Sequence, residues 1–205
     1  MTPFLREFGP RRLRPGPRGP VLDSQRKGLS RYPGTATGVV HLKTDSTWRV
    51  WVSYKASVPR GIQISRFRRL HLRRILEIER ASFPNEAYTR DMFLELHREC
   101  GDLFLIAKRF GRIVGYMVSS VGPRKAEIIS IAVDPGYRNT GVGRALILYT
   151  IEKLRELGAG RLELTVRTTS AAAIRLYRSL GFSPLKTVTH YYQDGGDGLR
   201  MWMPL

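Results

Sequence analysis

From Ala126 to Leu157 the chain reads AEIISIAVDPGYRNTGVGRALILYTIEKLREL, and no other stretch limits the possible folds as tightly. Ala126–Val133 has the apolar run of a buried strand, and Gly141–Leu157 has the spacing of an amphipathic helix closed by Gly158. Between them lies a turn with Arg138-x-x-Gly141-x-Gly143 at its centre. A helix start leaves its first backbone amides without intrahelical partners, and its dipole adds partial positive charge there. Strand, glycine-bearing turn and helix in this order make a cradle for phosphate, with Arg138 and Arg144 adding charge at the rim. Gly141 and Gly143 would let an anion reach the backbone, where a Cβ would hold it off.

Two familiar phosphate motifs do not fit. No Gly-Lys-Ser/Thr follows the turn, which excludes a nucleoside-triphosphate loop, and the dinucleotide fingerprint lacks its first glycine.

The elements around this unit predict a mixed α/β sheet flanked by helices, in the order β-α-α-β-β-β-α-β-α-β-β from residue 62 onward. Ile62–Phe67 alternates as a strand. His71–Ser82 carries an apolar stripe of Leu72, Ile75, Leu76, Ile78 and Ala81. Thr89 caps a second helix through Cys100. Leu103–Lys108 and Ile113–Ser120 form a hairpin, and Arg161–Val166 is a further strand. Thr168-Thr169-Ser170 opens a helix over Ala171–Leu180, closed by Gly181. Pro184–Tyr192 and Leu199–Met203 make the last hairpin around Asp194–Gly198.

Residues 1–61 read differently. They hold 12 Lys/Arg against 3 Asp/Glu and are rich in Pro, Gly and Arg, a composition that cannot bury enough surface to order itself over residues 1–35. Val39–Leu42 and Trp48–Val52 alternate like a short hairpin. Three readings of this tail stand side by side: a basic arm for RNA or the ribosome, a small strand appendage, or a start codon set too far upstream. The whole chain is 205 residues long with a net charge of +18, which favours polyanionic partners, whether nucleic acid, ribosome, an anionic membrane surface or a phosphorylated cofactor. A single cysteine, Cys100, excludes an internal disulfide and a multi-cysteine metal site and fits a reducing cytoplasm. The four histidines lack metal-ligand spacing, so no metal is expected. No apolar run approaches the roughly 20 residues of a membrane span, and none near the N-terminus has the character of a secretory signal.

Arg138–Leu146, after Ile131-Ala132-Val133-Asp134-Pro135, resembles the acetyl-CoA motif of the GNAT N-acetyltransferases. Ala172-Ala173-Ile174-Arg175-Leu176-Tyr177-Arg178-Ser179-Leu180-Gly181-Phe182 resembles the second signature of that family. Ile78-Glu79-x-x-Ser82-Phe83-Pro84 and Tyr191-Tyr192 with Asp194-Gly195 are similar to the subfamily that acetylates protein N-termini, above all the alanine terminus of ribosomal protein S18. The match covers about residues 62–205.

The resemblance implies a GNAT fold and acetyl-CoA as cosubstrate. It implies that the backbone of Ile131, Ala132 and Val133 holds pantetheine and polarises the acetyl carbonyl. Arg138, Asn139, Thr140, Gly141, Val142, Gly143 and Arg144 would hold the pyrophosphate. Tyr177, which by spacing alone shares an apolar helix face with Ala173 and Leu180, takes the role of the acid that protonates the departing thiolate. Relatives carry Glu where this chain has Thr165, and Thr165 cannot accept a proton. The base is therefore expected at Glu127, with Glu163 as the second choice and Thr165 positioning water. Ser170 stands where relatives have an Asn that touches CoA, and it is expected to cap its helix and keep a weaker contact. Phe83, Tyr88, Tyr191 and Tyr192 are expected to grip the acceptor's first residues.

A free α-amine with a pKa near 8 is about one-tenth neutral at pH 7, while a lysine at about 10.4 is under a thousandth neutral. Loss of the usual Glu therefore suits an α-amine acceptor. The expected partner is a protein or peptide N-terminus, with ribosome or RNA contact through the basic tail, no membrane, a monomer or weak dimer, and a cytoplasmic location. A GNAT acting on a small amine and a catalytically weak RNA- or ribosome-binding module are the alternatives.

Overall fold

The computed structural model describes residues 39–44, 47–52, 59–123 and 125–205. The rest of the basic segment, including its Pro/Gly/Arg-rich first part, lies outside the described residues. Two strands of that segment are described: β1 (Val39–Thr44) and β2 (Thr47–Val52) pair antiparallel as a sheet of their own, at the hairpin the alternation predicts.

The main sheet has seven strands: β3 (Ile62–Arg66), β4 (Phe104–Arg109), β5 (Arg112–Val121), β6 (Ala126–Val133), β7 (Arg161–Arg167), β8 (Ser183–Val188) and β9 (Gly198–Pro204). Their order is β3-β4-β5-β6-β7-β9-β8. Every pairing is antiparallel except β6 with β7. A parallel pair needs a long crossover, which α3 (Val142–Glu156) supplies. The helices α1 (Leu72–Ser82) and α2 (Arg90–Cys100) follow β3, and α4 (Ala171–Ser179) follows β7. Strands, helices and their order agree with the sequence reading, with ends shifted by one residue, except that β8 stops at Val188, four residues short of the expected Tyr192, so that Tyr191 and Tyr192 lie in the connection to β9.

Each helix packs by the stripe its sequence carries. Leu146, Ile147, Ile151 and Leu154 of α3 join Leu105, Met117, Ile128, Leu162 and Leu164 in one apolar cluster, with Tyr177 of α4. On the other face Ile75 and Ile78 of α1 and Phe93 of α2 meet Phe104, Ile106, Tyr116 and Val118. The α1 stripe differs from the expected one at a single place: Ala81 is exposed, and Glu79 is buried in its stead.

Two irregularities shape the centre of the sheet. Val118 faces Ser130 while Ser119 faces Ile128, so Ile129 of β6 has no counterpart on β5 and the strand bulges there. On its other edge β6 pairs with β7 only at Ala126↔Leu162, Glu127↔Glu163 and Ile128↔Leu164. Beyond Ile128 the two strands part, leaving one edge of Ile129–Val133 without a strand neighbour among the described residues.

The start of α3 lies close against this region because Gly115 has no side chain. A Cβ there would come 2.9 Å from the Ala132 carbonyl oxygen and 3.2 Å from Val142 Cγ1. Gly115→Ala is therefore expected to cost about 1–3 kcal/mol by overpacking, read as a lower urea midpoint with an unchanged slope.

Candidate functional site

The turn after β6 is built from its own side chains. The Asp134 carboxylate accepts from the Gly136 amide at 2.9 Å, fixing a single 3-10 turn at Pro135–Tyr137. Arg74 of α1 bridges Asp134 and the Ile113 carbonyl, so the turn is fastened to α1 and to β5. Thr140 Oγ1 donates to the Tyr137 carbonyl at 2.7 Å. Asn139 takes a left-handed φ of 59°, and Gly141 follows at 86° as the residue that starts α3. At Gly141 the need for glycine is twofold: that φ, and the ring of Pro59, which a Cβ would approach to 2.6 Å. The reason anticipated at Gly143 is weaker, since a Cβ there would meet Leu176 and Val133 only at ordinary contact distance.

The cradle's donors are chiefly backbone. Val142 buries its side chain in the core, so only its main chain can face a ligand. The first turn of α3 holds no acidic residue, which leaves the amides and the dipole unopposed. Arg138 turns back toward its own strand, its Nε donating to the Val133 carbonyl at 3.3 Å and its Nη2 to Ser82 Oγ at 3.3 Å. Arg144 is exposed and bonds Ser179 Oγ at 3.0 Å, tying α3 to α4. Ser170 precedes α4 but makes no side-chain cap, contrary to expectation. Its backbone carries the helix start instead: its amide donates to the Arg167 carbonyl and its carbonyl accepts from Ile174.

Tyr177 of α4 is buried edge-on to Phe182, with ring centres 5.7 Å apart. Burial pushes its phenol up to about 12, so it stays protonated throughout the physiological range.

The carboxylates nominated by sequence lie where β6 and β7 are still joined. Glu127 and Glu163 stand in register, and Lys125 Nζ reaches Glu127 at 3.7 Å and Glu163 at 2.7 Å. Glu163, 2% exposed, also pairs with Arg161 at 2.7 Å. Because Leu162 and Leu164 turn into the α3 cluster, Glu163 and Thr165 face the α1/α2 side of the sheet. Thr165 sits just past the last β6–β7 pair, and its buried Oγ1 has no hydrogen-bond partner among the described residues. Gly198, which pairs with Arg167, lies close by: a Cβ there would come 2.7 Å from Thr165 Cγ2 and 3.0 Å from the Tyr191 ring, so Thr165 and Tyr191 are near neighbours.

A second polar cluster joins the α1–α2 loop to the β8–β9 turn, and the sequence reading did not find it. Arg167, at the end of β7, donates from Nη2 to Glu86 at 2.7 Å and from Nη1 to both oxygens of Asp194, at 3.0 and 2.9 Å. Its guanidinium lies 3.9 Å from the centre of the Tyr192 ring, and Tyr191 meets Tyr192 edge-on at 5.0 Å. Glu86 also accepts from the Gln193 amide at 3.2 Å. Tyr88 and Tyr192 are half-buried, and burial raises both phenols above the usual tyrosine range. Phe83, at 36%, is the most exposed of the expected gripping residues. Opposite charges in two distant loops were the available signal, but Glu86 and Arg167 are separated by 81 residues and no spacing rule connects them.

Also unforeseen is a buried chain of three oxygens: Glu79 of α1, Tyr116 of β5 and Ser130 of β6.

These features suit a phosphate-bearing thioester along the free edge of β6 and an acceptor on the α1/α2 side. Because Arg167 holds both loops, Arg167→Ala is expected to speed hydrogen–deuterium exchange at the Gln193 amide by at least about tenfold, while α3 amides keep their protection.

The sequence matches the acetyltransferase (GNAT) family over residues 72–182. It is 33% identical over 144 residues to an N-alpha-acetyltransferase of Sulfurisphaera tokodaii, covering 64% of this chain and 86% of that protein. It is 39% identical over 98 residues to the ribosomal protein bS18-alanine N-acetyltransferase of Escherichia coli, covering 46% of this chain and 66% of that protein. Among solved structures, Ard1 from Thermoplasma volcanium superposes with a TM-score of 0.68 at 32% identity, covering 71% of this chain and 98% of the other.

Proposed function

Because the chain belongs to the acetyltransferase (GNAT) family and is an N-acetyltransferase, we propose that it uses acetyl-CoA to acetylate the N-terminal α-amine of a protein, with an S18-like terminus as the acceptor. The observation that carries this reading is the parting of β6 from β7 beyond Ile128, beside the start of α3 and facing the loops that Arg167 ties together. It is supported by relatives that are N-alpha-acetyltransferases and by one that acts on the alanine terminus of bS18.

Acetyl-CoA, when bound, supplies the acetyl group as an activated thioester. The α3 amides at Val142, Gly143 and Arg144 and the turn residues Arg138–Gly141 would hold its pyrophosphate. Backbone amides on the free edge of Ile131–Val133 would donate to the carbonyl oxygen as negative charge builds there. Tyr177 is the proton donor to the leaving sulfur: it is protonated at working pH, and burial means little else competes for its proton. Glu127 is the carboxylate assigned to the amine through water. The Thr165 hydroxyl, buried and without a partner among the described residues, is suited to hold such a water. Ser170 would touch the cofactor from the start of α4. Phe83, Tyr88, Tyr191 and Tyr192 would line the entry for the first acceptor residues, its width set by Arg167, Glu86 and Asp194. We assign the enzyme to the cytoplasm, as a monomer or weak dimer. Among the described residues no helix is long and apolar enough to cross a membrane. Ribosome or RNA contact through residues 1–61 is part of the same reading, with most of that segment outside the described residues.

The test is acetyl-CoA turnover against an Ala-initiated S18-like peptide, unrelated peptides and polyamines. The S18-like peptide is expected to give the highest kcat/KM; polyamines in first place would move the assignment to small amines. Tyr177→Phe is expected to lower kcat by about 100-fold or more while leaving the Kd for acetyl-CoA within about twofold. A Tyr177→Phe enzyme with full kcat would remove the acid role.

A further inference from the structure

Acetylating an ammonium removes two protons from its nitrogen. One leaves before the N–C bond can form, and one leaves as the amide is completed. Over the same turnover the C–S bond breaks and the sulfur takes one proton from Tyr177, so one proton is released in all once Tyr177 is reprotonated. Thr165 cannot take a proton from the amine. Glu127, which can, stands 3.7 Å from Lys125 in the closed part of the sheet.

A different carboxylate is connected to the open part. Glu79 is 1% exposed in α1, one turn from the end of that helix. One of its oxygens accepts from the Tyr88 amide at 2.9 Å, and the other accepts from the Tyr116 hydroxyl. Tyr116 is fully buried on β5, and its oxygen lies 2.8 Å from Ser130 Oγ. Val118 pairs with Ser130 and Tyr116 with Ala132, so Tyr116 and Ser130 are diagonal neighbours on one face of the sheet. Ser130 itself is half-buried, immediately past the Ile129 bulge and two residues beyond the last β6–β7 pair.

The direction of this chain follows from counting protons. A phenol has one O–H, and Tyr116 commits it to the carboxylate. Ser130 must therefore donate to Tyr116, which leaves the lone pairs of Ser130 Oγ to accept, on a residue two positions past the last β6–β7 pair. Ser130 is followed directly by Ile131–Val133, the strand edge assigned to the acetyl group.

We propose that Ser130, Tyr116 and Glu79 form a proton conduit for the acceptor amine: Ser130 Oγ takes a proton from the ammonium, Tyr116 passes one on, and Glu79 receives one. In this step an N–H bond breaks at the amine and an O–H bond forms at Glu79, while both hydroxyls end with the proton count they began with. The conduit rests on the α-amine reading above. It supplies the proton acceptor that Thr165 cannot be, and it leaves Glu127 the second proton. Ser130 is the member that touches substrate; Tyr116 and Glu79 act through it.

The surroundings suit Glu79 to this task. The titratable groups that face it are Tyr116 from β5 and Tyr88 from the α1–α2 loop; the α2 residue packed on both tyrosines is Phe93. No ion pair engages Glu79 among the described residues. Burial raises its carboxyl above the ordinary glutamate range, which brings it nearer to an α-amine with a pKa near 8.

The experiment is kcat and KM against pH for wild type, Glu79→Gln, Tyr116→Phe and Ser130→Ala with an α-amine peptide. All three variants are expected to lose about 10- to 100-fold in kcat at pH 7. The loss shrinks at pH 9 and above, where the amine arrives neutral and needs no conduit. Glu79→Gln with Tyr116→Phe is expected to be no worse than either alone. A purely structural role, with Glu79 only anchoring the Tyr88 loop, gives a loss equal at every pH and carried by KM; that result overturns the proposal, as does full activity of Ser130→Ala, the variant that leaves the Glu79–Tyr116 pair in place. Wild-type enzyme inactive on every α-amine peptide overturns the functional reading itself.

Equilibrium unfolding checks the titration without activity. A carboxyl whose pKa is raised by folding contributes stability at low pH that is lost as pH rises through its folded pKa. Glu79→Gln is therefore expected to flatten the fall in wild-type stability above the ordinary glutamate pKa, and an unaltered curve would contradict the assignment.

Discussion

Three residue pairs hold β6 to β7, and the proposed chemistry depends on there being no more. A parallel sheet ordinarily runs its ladder to the ends of its strands, and an unpaired edge in the middle of a sheet leaves backbone donors and acceptors without partners. Here the ladder stops at Ile128↔Leu164, while β5 keeps pairing with β6 as far as Val133. The antiparallel side holds β6 to β5 up to the α3 turn, and the bulge at Ile129 falls one residue past the last pair with β7. The free edge is held by apolar packing on both faces of the sheet, and donors fixed in this way can stabilise charge without reorganising.

Everything else fixes the two ends of that gap. At one end Gly115 lets α3 approach the sheet, and Arg74 ties the turn to α1 through Asp134. At the other end Lys125 and Arg161 neutralise Glu163, 2% exposed, which would otherwise be costly to bury where the strands are joined. Above the gap Arg167 clamps the α1–α2 loop to the β8–β9 turn with charge-assisted bonds on both sides and the Tyr192 ring beneath it.

The sequence made the elements legible because their signals are local. The Ile/Val run of β6, the glycines at 141 and 158, and the Thr89 cap all act within a few residues, and each lies where its pattern predicts. Signals that depend on pairing across the chain were not legible. Nothing near Glu86 announces Arg167, and nothing near Ser130 announces Tyr116, because register and sheet order bring them together. Glu79 is the instructive case. It occupies a core position of the α1 stripe, four residues after Ile75, where a charge is anomalous on an apolar face. That anomaly was readable, and the apolar stripe was instead completed with Ala81, which is exposed. Ser170 shows the opposite error: a residue of the right type before a helix, whose hydroxyl makes no cap.

The amine proposed to enter this gap is an α-amine, because the proton machinery around Thr165 suits a group already partly neutral. The most direct test is a peptide with a free N-terminal alanine and an internal lysine, turned over with acetyl-CoA at pH 7 and mapped by tandem mass spectrometry. Acetyl is expected on the α-nitrogen alone. Acetyl on the lysine ε-nitrogen with the α-amine untouched would contradict it.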